Sequence, residues 1–437
     1  MEEELVVGCR FTERDVTVRV DEPRHHGEPG DVEDFDVRVR SAGTVSHTDY
    51  PVTVDQQRCV RVWHRSRPVD DGPTPEQSQG HNPLLRSRIT RQLIGFLTIV
   101  QGSVTANVVD VHSHILLPGV MGCCGPAGPE MGVREDGTPF FRSGTYVLED
   151  VKFAGSPFSD VSLRLERMGE LGIDEQLVSP NPITYFYRQP LGLATRFVLR
   201  HNDLVGEIAR AEPRIHGAAA LPMQDPDLAC AELRRAAGDL GLVASYIGSE
   251  IDGLALSDRR FDELWSAHEE LGVPVVVHPA PRSSEGPSDA TFALWDLEIL
   301  YGFLVDEAMA VAHLLLGGVL DRHPRLRVHV PHGGGFAPYQ KGRLEAGLAK
   351  RPWGPGLLSR SFDEQWAQLS FDTALHRDDA LAYLVSTEGA ERVLLGSNFA
   401  GWDQEVRSVA MVEGLDLSDD EKAAVLGGNA RRIFNIN

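Results

Sequence analysis

From Asn107 to the C-terminus, eight short runs rich in β-branched residues alternate with longer stretches that have helical periodicity. In one of these stretches, for example, Val161, Leu165 and Met168 recur at helical spacing. This alternation is typical of parallel strands that are each followed by a helix, and eight repeats predict an α/β fold, a closed (β/α)8 barrel of the TIM type, over residues 104–437. The predicted strands are residues 107–114, 174–180, 214–222, 242–248, 273–279, 326–334, 368–373 and 392–398.

Residues 1–103 form an N-terminal extension that does not continue this alternation. They contain valine-rich pieces such as "RDVTVRV" and "FDVRVR", separated by stretches rich in Pro, Gly and Asp that predict turns and linkers. Two interpretations stay open. The extension is a small β-rich accessory domain, or it is an upstream segment outside the native protein, since Val104 could be encoded by an alternative start codon. Any peptide from residues 1–95 in protein from the native host would exclude the second interpretation.

The charge of the chain excludes one class of partner. The sequence has 42 Lys and Arg against 64 Asp and Glu, a formal net charge of −22. Because this charge repels polyanions, we do not expect nucleic acid as a partner. The N-terminus is acidic where a secretory signal needs positive charge, and the apolar run at residues 93–100 is too short to span a bilayer. We therefore expect a cytoplasmic protein with no membrane partner.

Four histidines lie at the ends of predicted strands. His112 and His114 close the first strand, where alternate residues point the same way, and His278 and His332 end the fifth and sixth strands. In this barrel the carboxyl ends of the strands form one rim, at which the chemistry collects. Neutral imidazoles are preferred ligands of first-row divalent ions. The pattern predicts a metal-dependent catalytic site, and the alternative for each histidine alone is a buried ring hydrogen-bonded to the backbone.

Several motifs in order along this part of the chain resemble one known family. They are "DVHSHI", "RHNDLVGEIARAEPRIHGAAALPMQDPDLACAEL", "VPVVVHP", "GGVLDRHPRLRVHVPHGGGFAPY" with "GRLE", and "FDT" followed by "RVLLGSN". They are similar to the amidohydrolase-related family of the amidohydrolase superfamily, whose best-known members are the aminocarboxymuconate-semialdehyde decarboxylase-like enzymes. The resemblance implies a distorted barrel with one divalent metal ion, usually zinc and sometimes manganese. It implies that His112, His114 and His278 are ligands and that His332 acts on metal-bound water or on the substrate.

The chain departs from the family pattern at one position. The family's "GSD" ends in an aspartate that binds the metal and moves protons, whereas this chain has Asn398. An amide oxygen can still coordinate a metal, so we keep Asn398 as a candidate ligand and site residue, but it carries no charge and accepts no proton near neutral pH. Asp372 and Asp403 are candidate proton carriers in its place. The alternatives are that Asp372 orients a ligand histidine and that Asp403 caps the following helix.

Three arginines and one long segment are candidates for substrate binding. Arg188, Arg282 and Arg343 lie close to strand-end loops, where a guanidinium can bind a substrate carboxylate, although each taken alone is also typical of a surface arginine. Residues 115–159, rich in Gly, Pro and aromatic residues, predict a long loop over the mouth of the barrel.

Three functions stay open. The first is a non-oxidative decarboxylase of an aromatic or unsaturated carboxylic acid that uses Zn²⁺, or alternatively Mn²⁺. The second is a metal-dependent hydrolase of an amide, a lactone or an enol-type bond. The third is a degenerate, metal-poor barrel that binds a small molecule or performs metal-free acid-base catalysis, and Asn398 is the feature that favours it. The resemblance also implies a small carboxylate as substrate and makes a homodimer plausible.

Overall fold

The structure is a computed structural model that describes the strands at residues 5–11, 14–20 and 37–41, and residues 107–437 except 151–152, 282–289, 400, 402 and 437. The chain divides into two compact units, residues 1–87 and residues 88–437.

The described part of the first unit is a three-stranded antiparallel sheet. Its strands are Leu5–Phe11, Arg14–Val20 and Val37–Ser41, and they pair in chain order. The predicted domain boundary at residue 103 lies outside the described residues. The two interpretations of the extension, an accessory domain or a segment outside the native protein, stay predictions.

The second unit is built around an eight-stranded sheet in which every pair of neighbouring strands is parallel and the strands follow chain order. All residues of these strands are buried except one, which explains the β-branched runs of the sequence. Each of the eight predicted strands is present, mostly one to four residues shorter than expected. The strands are Val109–Ile115 (β1), Glu175–Pro180 (β2), Ile215–Ala219 (β3), Ala244–Ile247 (β4), Val275–Val277 (β5), Val328–Val330 (β6), Leu369–Asp372 (β7) and Val393–Leu394 (β8).

The sheet closes on itself between its first and last strands. The Val111 amide donates to the Leu395 carbonyl at 2.9 Å, the Phe399 amide donates to the His112 carbonyl at 2.9 Å, and the His114 amide donates to the Phe399 carbonyl at 3.2 Å. These hydrogen bonds run from β1 to the segment that follows β8. They complete the barrel and confirm the predicted fold class.

A buried carboxylate, Asp110, reinforces this closure. It accepts hydrogen bonds from the Ser397 amide at 3.0 Å, the Ser397 hydroxyl at 2.7 Å and the Gln176 side chain at 3.0 Å, and from the His112 amide at 3.1 Å. Burial raises the pKa of Asp110, while these hydrogen bonds act in the opposite direction. Asp110 thus joins β1, β2 and the segment after β8 directly beside the predicted site residues.

Helices follow the strands, as the alternating pattern predicts. The first begins at Val161 because Asp160 caps it, accepting hydrogen bonds from the amides of Ser162 and Leu163. In the described part of the unit the helices are Val161–Glu170 (α1), Leu191–Ala211 (α2), Pro226–Gly238 (α3), Asp262–Leu271 (α4), Phe303–Leu316 (α5), Val319–Arg322 (α6), Ala337–Lys350 (α7), Phe362–Trp366 (α8), Asp378–Glu388 (α9), Ser408–Glu413 (α10), Asp419–Ala423 (α11) and Asn429–Phe434 (α12).

The segment after β1, expected to be a loop, contains a small antiparallel sheet instead. Its strands are Glu130–Val133, Pro139–Ser143 and Tyr146–Glu149. Phe141 is fully buried in a separate hydrophobic cluster that also contains Phe197 of α2. The many Gly and Pro residues hid this pattern, because they interrupt the alternation by which strands are recognised.

The stretch Glu298–Leu316, which ends with α5, is long and apolar enough to cross a membrane by length and composition alone. Val311 and Leu315 of α5 pack into the main hydrophobic core of the barrel unit, and the same helix carries the fully buried carboxylate of Glu307. This face of α5 therefore packs on the barrel, and 44% of the apolar stretch is buried. The cytoplasmic location of the protein stays a prediction.

Candidate active site

The four histidines singled out in the sequence lie together at the carboxyl ends of their strands. The ring centre of His112 is 5.3 Å from that of His114, 5.3 Å from that of His278 and 4.8 Å from that of His332. All four rings are buried. The ring nitrogens that His112, His278 and His332 can offer to a metal lie within 4.8 Å of one another, whereas His114 is a neighbour by ring contacts only.

Hydrogen bonds at Nδ1 determine the tautomers of two of these rings. His278 Nδ1 lies 2.6 Å from the carbonyl oxygen of Pro279, which can only accept, so Nδ1 carries a proton and donates it. His112 Nδ1 lies 2.7 Å from Oδ2 of the fully buried Asp372 and likewise donates to it. In a neutral ring this leaves a lone pair on Nε2, the form in which histidine binds a metal.

The same argument applies to His114 through a hydroxyl group. Ser179 donates its only hydroxyl proton to the carbonyl of Ser113 at 2.8 Å. Its oxygen is therefore an acceptor for His114 Nδ1, which lies 3.1 Å away. His114 thus also keeps Nε2 as a free acceptor in the neutral ring.

Oε2 of Glu307, beside His332, is buried and has no hydrogen-bond partner among the described residues, and neither have three further buried atoms: Nε2 of His112, Nε2 of His278 and Oδ1 of Asn398. Leaving a buried acceptor unpaired costs about 1–3 kcal/mol for each group, and such groups call for an explanation. All three atoms are lone-pair donors of the kinds that bind divalent cations. The residues present therefore fit a metal ion.

The electrostatics of the cluster favour the neutral form of two of the rings. Burial, followed by the neighbouring imidazoles, lowers the pKa of both His114 and His278 well below the ordinary value. Burial alone would raise the pKa of Asp372, but His112 beside it holds that pKa well below its usual range. Asp372 also accepts from the Gly333 amide at 3.2 Å. A carboxylate engaged in this way orients His112, which was the alternative to a role as proton carrier.

His332 has a different partner, Glu307, which sequence reasoning missed. His332 Nδ1 lies 2.7 Å from Glu307 Oε1, and the glutamate is fully buried. Burial by itself lowers the pKa of an imidazole, but the charge and hydrogen bond of Glu307 raise the pKa of His332 to about 9. The signal for Glu307 was its spacing, because Phe303, Glu307 and Val311 lie on one buried face of α5.

We expect Glu307→Gln to lower the pKa of His332 from about 9, because burial is then opposed only by the more weakly acting carboxylates of Asp372 and Asp403. The raised pKa of His332 contributes stability that is lost as the pH rises through about 9. Burial raises the pKa of its partner Glu307 to about 7, so the ion pair is fully charged only between these two values. NMR titration of the histidine rings in metal-free protein measures the shift. Glu345→Gln, at an exposed position of α7, is the matched control, and an unchanged His332 would contradict the assignment.

Asn398 lies just after β8 and is held by Asp403. The Asn398 side-chain amide donates to Asp403 Oδ1 at 2.6 Å, and Asn398 is buried. The alternative role for Asp403 was wrong, because the following helix begins at Ser408 and its N-cap residue is Arg407. The proton-carrier role of Asp403 stays a prediction.

The three candidate arginines lie in different parts of the structure or outside its described residues. Arg188 Nε lies 3.2 Å from Asp252 Oδ1, and both residues line a cavity of about 40 Å³. Arg343 is exposed on α7. Arg282 lies outside the described residues. Their roles in substrate binding stay predictions.

Aromatic side chains, also missed by sequence reasoning, form one wall of the cluster. Tyr246 stacks on His278 with ring centres 5.4 Å apart, and Phe303 contacts His278 edge-on at 5.7 Å. The Tyr185 hydroxyl donates to the His278 carbonyl at 2.9 Å, and burial raises the pKa of this tyrosine well above its ordinary value. The wall is therefore apolar and uncharged.

Comparison with known proteins gives one family. A sequence model of the amidohydrolase family matches residues 109–436. The 2-amino-3-carboxymuconate-6-semialdehyde decarboxylase of Dictyostelium discoideum is 27% identical over 64% of this chain and 77% of the relative. The gamma-resorcylate decarboxylase of a Polaromonas species is 26% identical over 63% of this chain and 87% of the relative.

A solved structure agrees with the fold. The crystal structure of a dihydroxybenzoic acid decarboxylase from Polaromonas, with bound manganese and the inhibitor 2-nitroresorcinol, superposes with a TM-score of 0.62. The alignment covers 76% of this chain and 98% of that chain at 21% sequence identity. At this level of identity the likeness supports the barrel fold and leaves the chemistry to be argued from the site.

Proposed function

This chain belongs to the amidohydrolase family of enzymes, and from that premise we propose that it is a metal-dependent, non-oxidative carboxy-lyase that releases CO₂ from an aromatic or unsaturated carboxylic acid. The observation that carries the proposal is the pair of buried, unpaired Nε2 atoms of His112 and His278 within the histidine cluster. The decarboxylase names of the two relatives support the reaction type.

We assign the ion to His112, His114 and His278, with the amide oxygen of Asn398 as a further neutral ligand. A bound divalent ion supplies Lewis-acid polarisation and an anchor for oxygen atoms of the substrate. Manganese is the first ion to test, because the Polaromonas structure contains it, and zinc, the ion expected from the sequence, is the second. Imidazole and amide ligands suit both ions.

His332 is the residue that we propose moves the proton. It is the most exposed of the four histidines, at 8%, and Glu307 compensates its positive charge when it is protonated. When the bond between the ring carbon and the carboxylate breaks, its electron pair stays on the ring carbon. The proton from His332 Nε2 then adds to that carbon. The products are CO₂ and the substrate with a hydrogen atom in place of its carboxylate, and His332 is left as a neutral imidazole.

The remaining contacts concern the substrate. The uncharged wall formed by Tyr246 and Phe303 suits a planar unsaturated acid. A substrate carboxylate at Arg188 has to compete with Asp252, which already lies 3.2 Å away. We therefore assign the carboxylate to the ion, and Arg282 and Arg343 stay candidates for other groups of the substrate. The predicted homodimer is part of the proposal and awaits measurement of the mass in solution.

The test is release of CO₂ from a panel of hydroxybenzoates, beginning with gamma-resorcylate, by protein loaded with Mn²⁺ or Zn²⁺. Chelator-treated protein is the control, and we expect CO₂ only from the metal-loaded form. Bound metal without CO₂, together with cleavage of an amide or lactone, would establish the hydrolase instead. A metal content near zero after loading would establish the degenerate, metal-poor barrel, since both enzymatic alternatives need the ion.

A further inference from the structure

We propose that Asn398 and Asp403 act as a pair that replaces the single ligand carboxylate of the family. Asp403 fixes the amide of Asn398 so that Oδ1 faces the histidine cluster, and it supplies the negative charge that Asn398 lacks. This inference rests on the proposed function, because it assumes a metal ion among the histidines. Asp403 is thus a positioning residue that acts through Asn398.

The orientation of the Asn398 amide follows from hydrogen-bond chemistry. An ionised carboxylate only accepts hydrogen bonds, so the group that faces Asp403 Oδ1 at 2.6 Å is the NH₂ group of the amide. The oxygen of a planar amide then points away from Asp403. This oxygen is buried and has no partner in the described part of the chain. We propose that a cation binds this oxygen, since a buried polar atom without a partner calls for one.

The backbone ties Asn398 to the strand that carries His112 and His114. Phe399, the next residue, pairs with His112 and His114 through two hydrogen bonds, and the preceding Ser397 is held by Asp110. Asn398 is therefore tied on both sides to the strand that carries two of the proposed ligands. Its φ of 52° is a conformation that asparagine adopts more readily than most residues.

Asp403 also acts on the amide that it holds. A carboxylate that accepts a hydrogen bond from an amide also polarises that amide and makes its oxygen a stronger ligand. On the outer side, His376 Nε2 lies 3.8 Å from Asp403 Oδ2 and is 45% exposed. Asp403 thus lies between a half-exposed histidine and the buried site.

If Asn398 and Asp403 act as a pair, exchanging their side chains should preserve Mn²⁺ binding, whereas changing Asp403 alone should weaken it. We expect Asp403→Asn to weaken Mn²⁺ binding by about 10–100-fold, because it removes the charge and frees the amide to rotate. The double variant Asn398→Asp with Asp403→Asn returns one carboxylate and one amide in reverse order. Its Mn²⁺ affinity should come back to within about threefold of wild type, or exceed it.

The experiment is calorimetric titration of Mn²⁺ into metal-free, full-length protein. Asp379→Asn, the same change at an exposed position in the first turn of α9, is the matched control and should bind as wild type does. Circular dichroism checks that each variant is folded, and if Asp403→Asn does not fold, the double variant decides alone. The exchange is a test of positioning, because a residue needed only for folding would not be rescued by a carboxylate placed at residue 398.

The outcomes separate this inference from the proposed function. If the wild type binds Mn²⁺ but Asp403→Asn binds it equally well, or the double variant stays about tenfold or more below wild type, the pair is not a ligand unit and the inference is overturned. If the folded wild type binds neither Mn²⁺ nor Zn²⁺, the proposed function fails, and the inference fails with it.

Discussion

Protein in which alanine replaces His112 is expected to hold no stoichiometric metal and to lose CO₂ release by at least about 10³-fold. His112 lies at the centre of the cluster, with the ring centres of His114, His278 and His332 all within 5.3 Å. Asp372 binds the Nδ1 atom of this ring and holds it in place, which leaves Nε2 as the nitrogen that can bind the ion. Elemental analysis after metal loading and desalting measures the metal content per chain.

This variant needs a folding control, since it also leaves the buried Asp372 without its histidine, a loss that costs about 3–5 kcal/mol in typical buried pairs. His278→Ala is the second variant, because His278 gives its Nδ1 proton to a carbonyl and its removal strands no charge. His313→Ala, a change on α5 at a histidine that contacts Ser257, should keep its metal. Retention of one metal per chain by folded His112→Ala would contradict the assigned site.

The barrel could be predicted because its determinants are local and repeated. Each strand is a short, buried, β-branched run, and each is followed by a helical pattern, so the order of elements was readable without any long-range contact. The ends of the strands were less accurate. The sixth strand was expected at residues 326–334 but ends at Val330, because Pro331 has no N–H for the ladder and Gly333 turns with a φ of 63°.

The histidine cluster could be predicted for a related reason. In a parallel barrel the end of each strand is a known point on one rim, so a histidine at that position has a known neighbourhood. The hydrogen-bond partners of the histidines could not be predicted in this way. Glu307 reaches His332 from a helix that precedes its strand, and Ser179 reaches His114 from the next strand. Helical spacing places Glu307 on the buried face of α5, but the residue that each of these side chains meets depends on the packing of helices and strands.

The consequence of Asn398 was the least predictable part of the site. From the sequence, the change from the family's aspartate removes a charge and weakens the metal site. In the structure the carboxylate of Asp403, five residues further along, is hydrogen-bonded to the substituted amide. Compensation of this kind depends on the turn after β8, where Asn398 has a positive φ.

The second large effect is expected for His332→Ala. This variant should lose about 10²–10⁴-fold in the rate of CO₂ release, the range typical of general acid-base residues, while keeping one metal ion per chain. The reason is that the residues of the proposed site have separate roles. The ion is held by His112, His114 and His278, and the proton is moved by His332. The measurements are kcat with a hydroxybenzoate substrate and the metal content of the same sample.

The metal content is the decisive half of this experiment, because distance alone groups His332, rather than His114, with His112 and His278. If His332→Ala loses its metal and His114→Ala keeps it, then His332 is the third ligand, Glu307 orients it as Asp372 orients His112, and the proton carrier has to be sought elsewhere. If His114→Ala loses its metal and His332→Ala keeps it, the hydroxyl of Ser179 is what holds the third ligand in its metal-binding tautomer. Both variants remove one imidazole from the same cluster, so each serves as the matched control for the other.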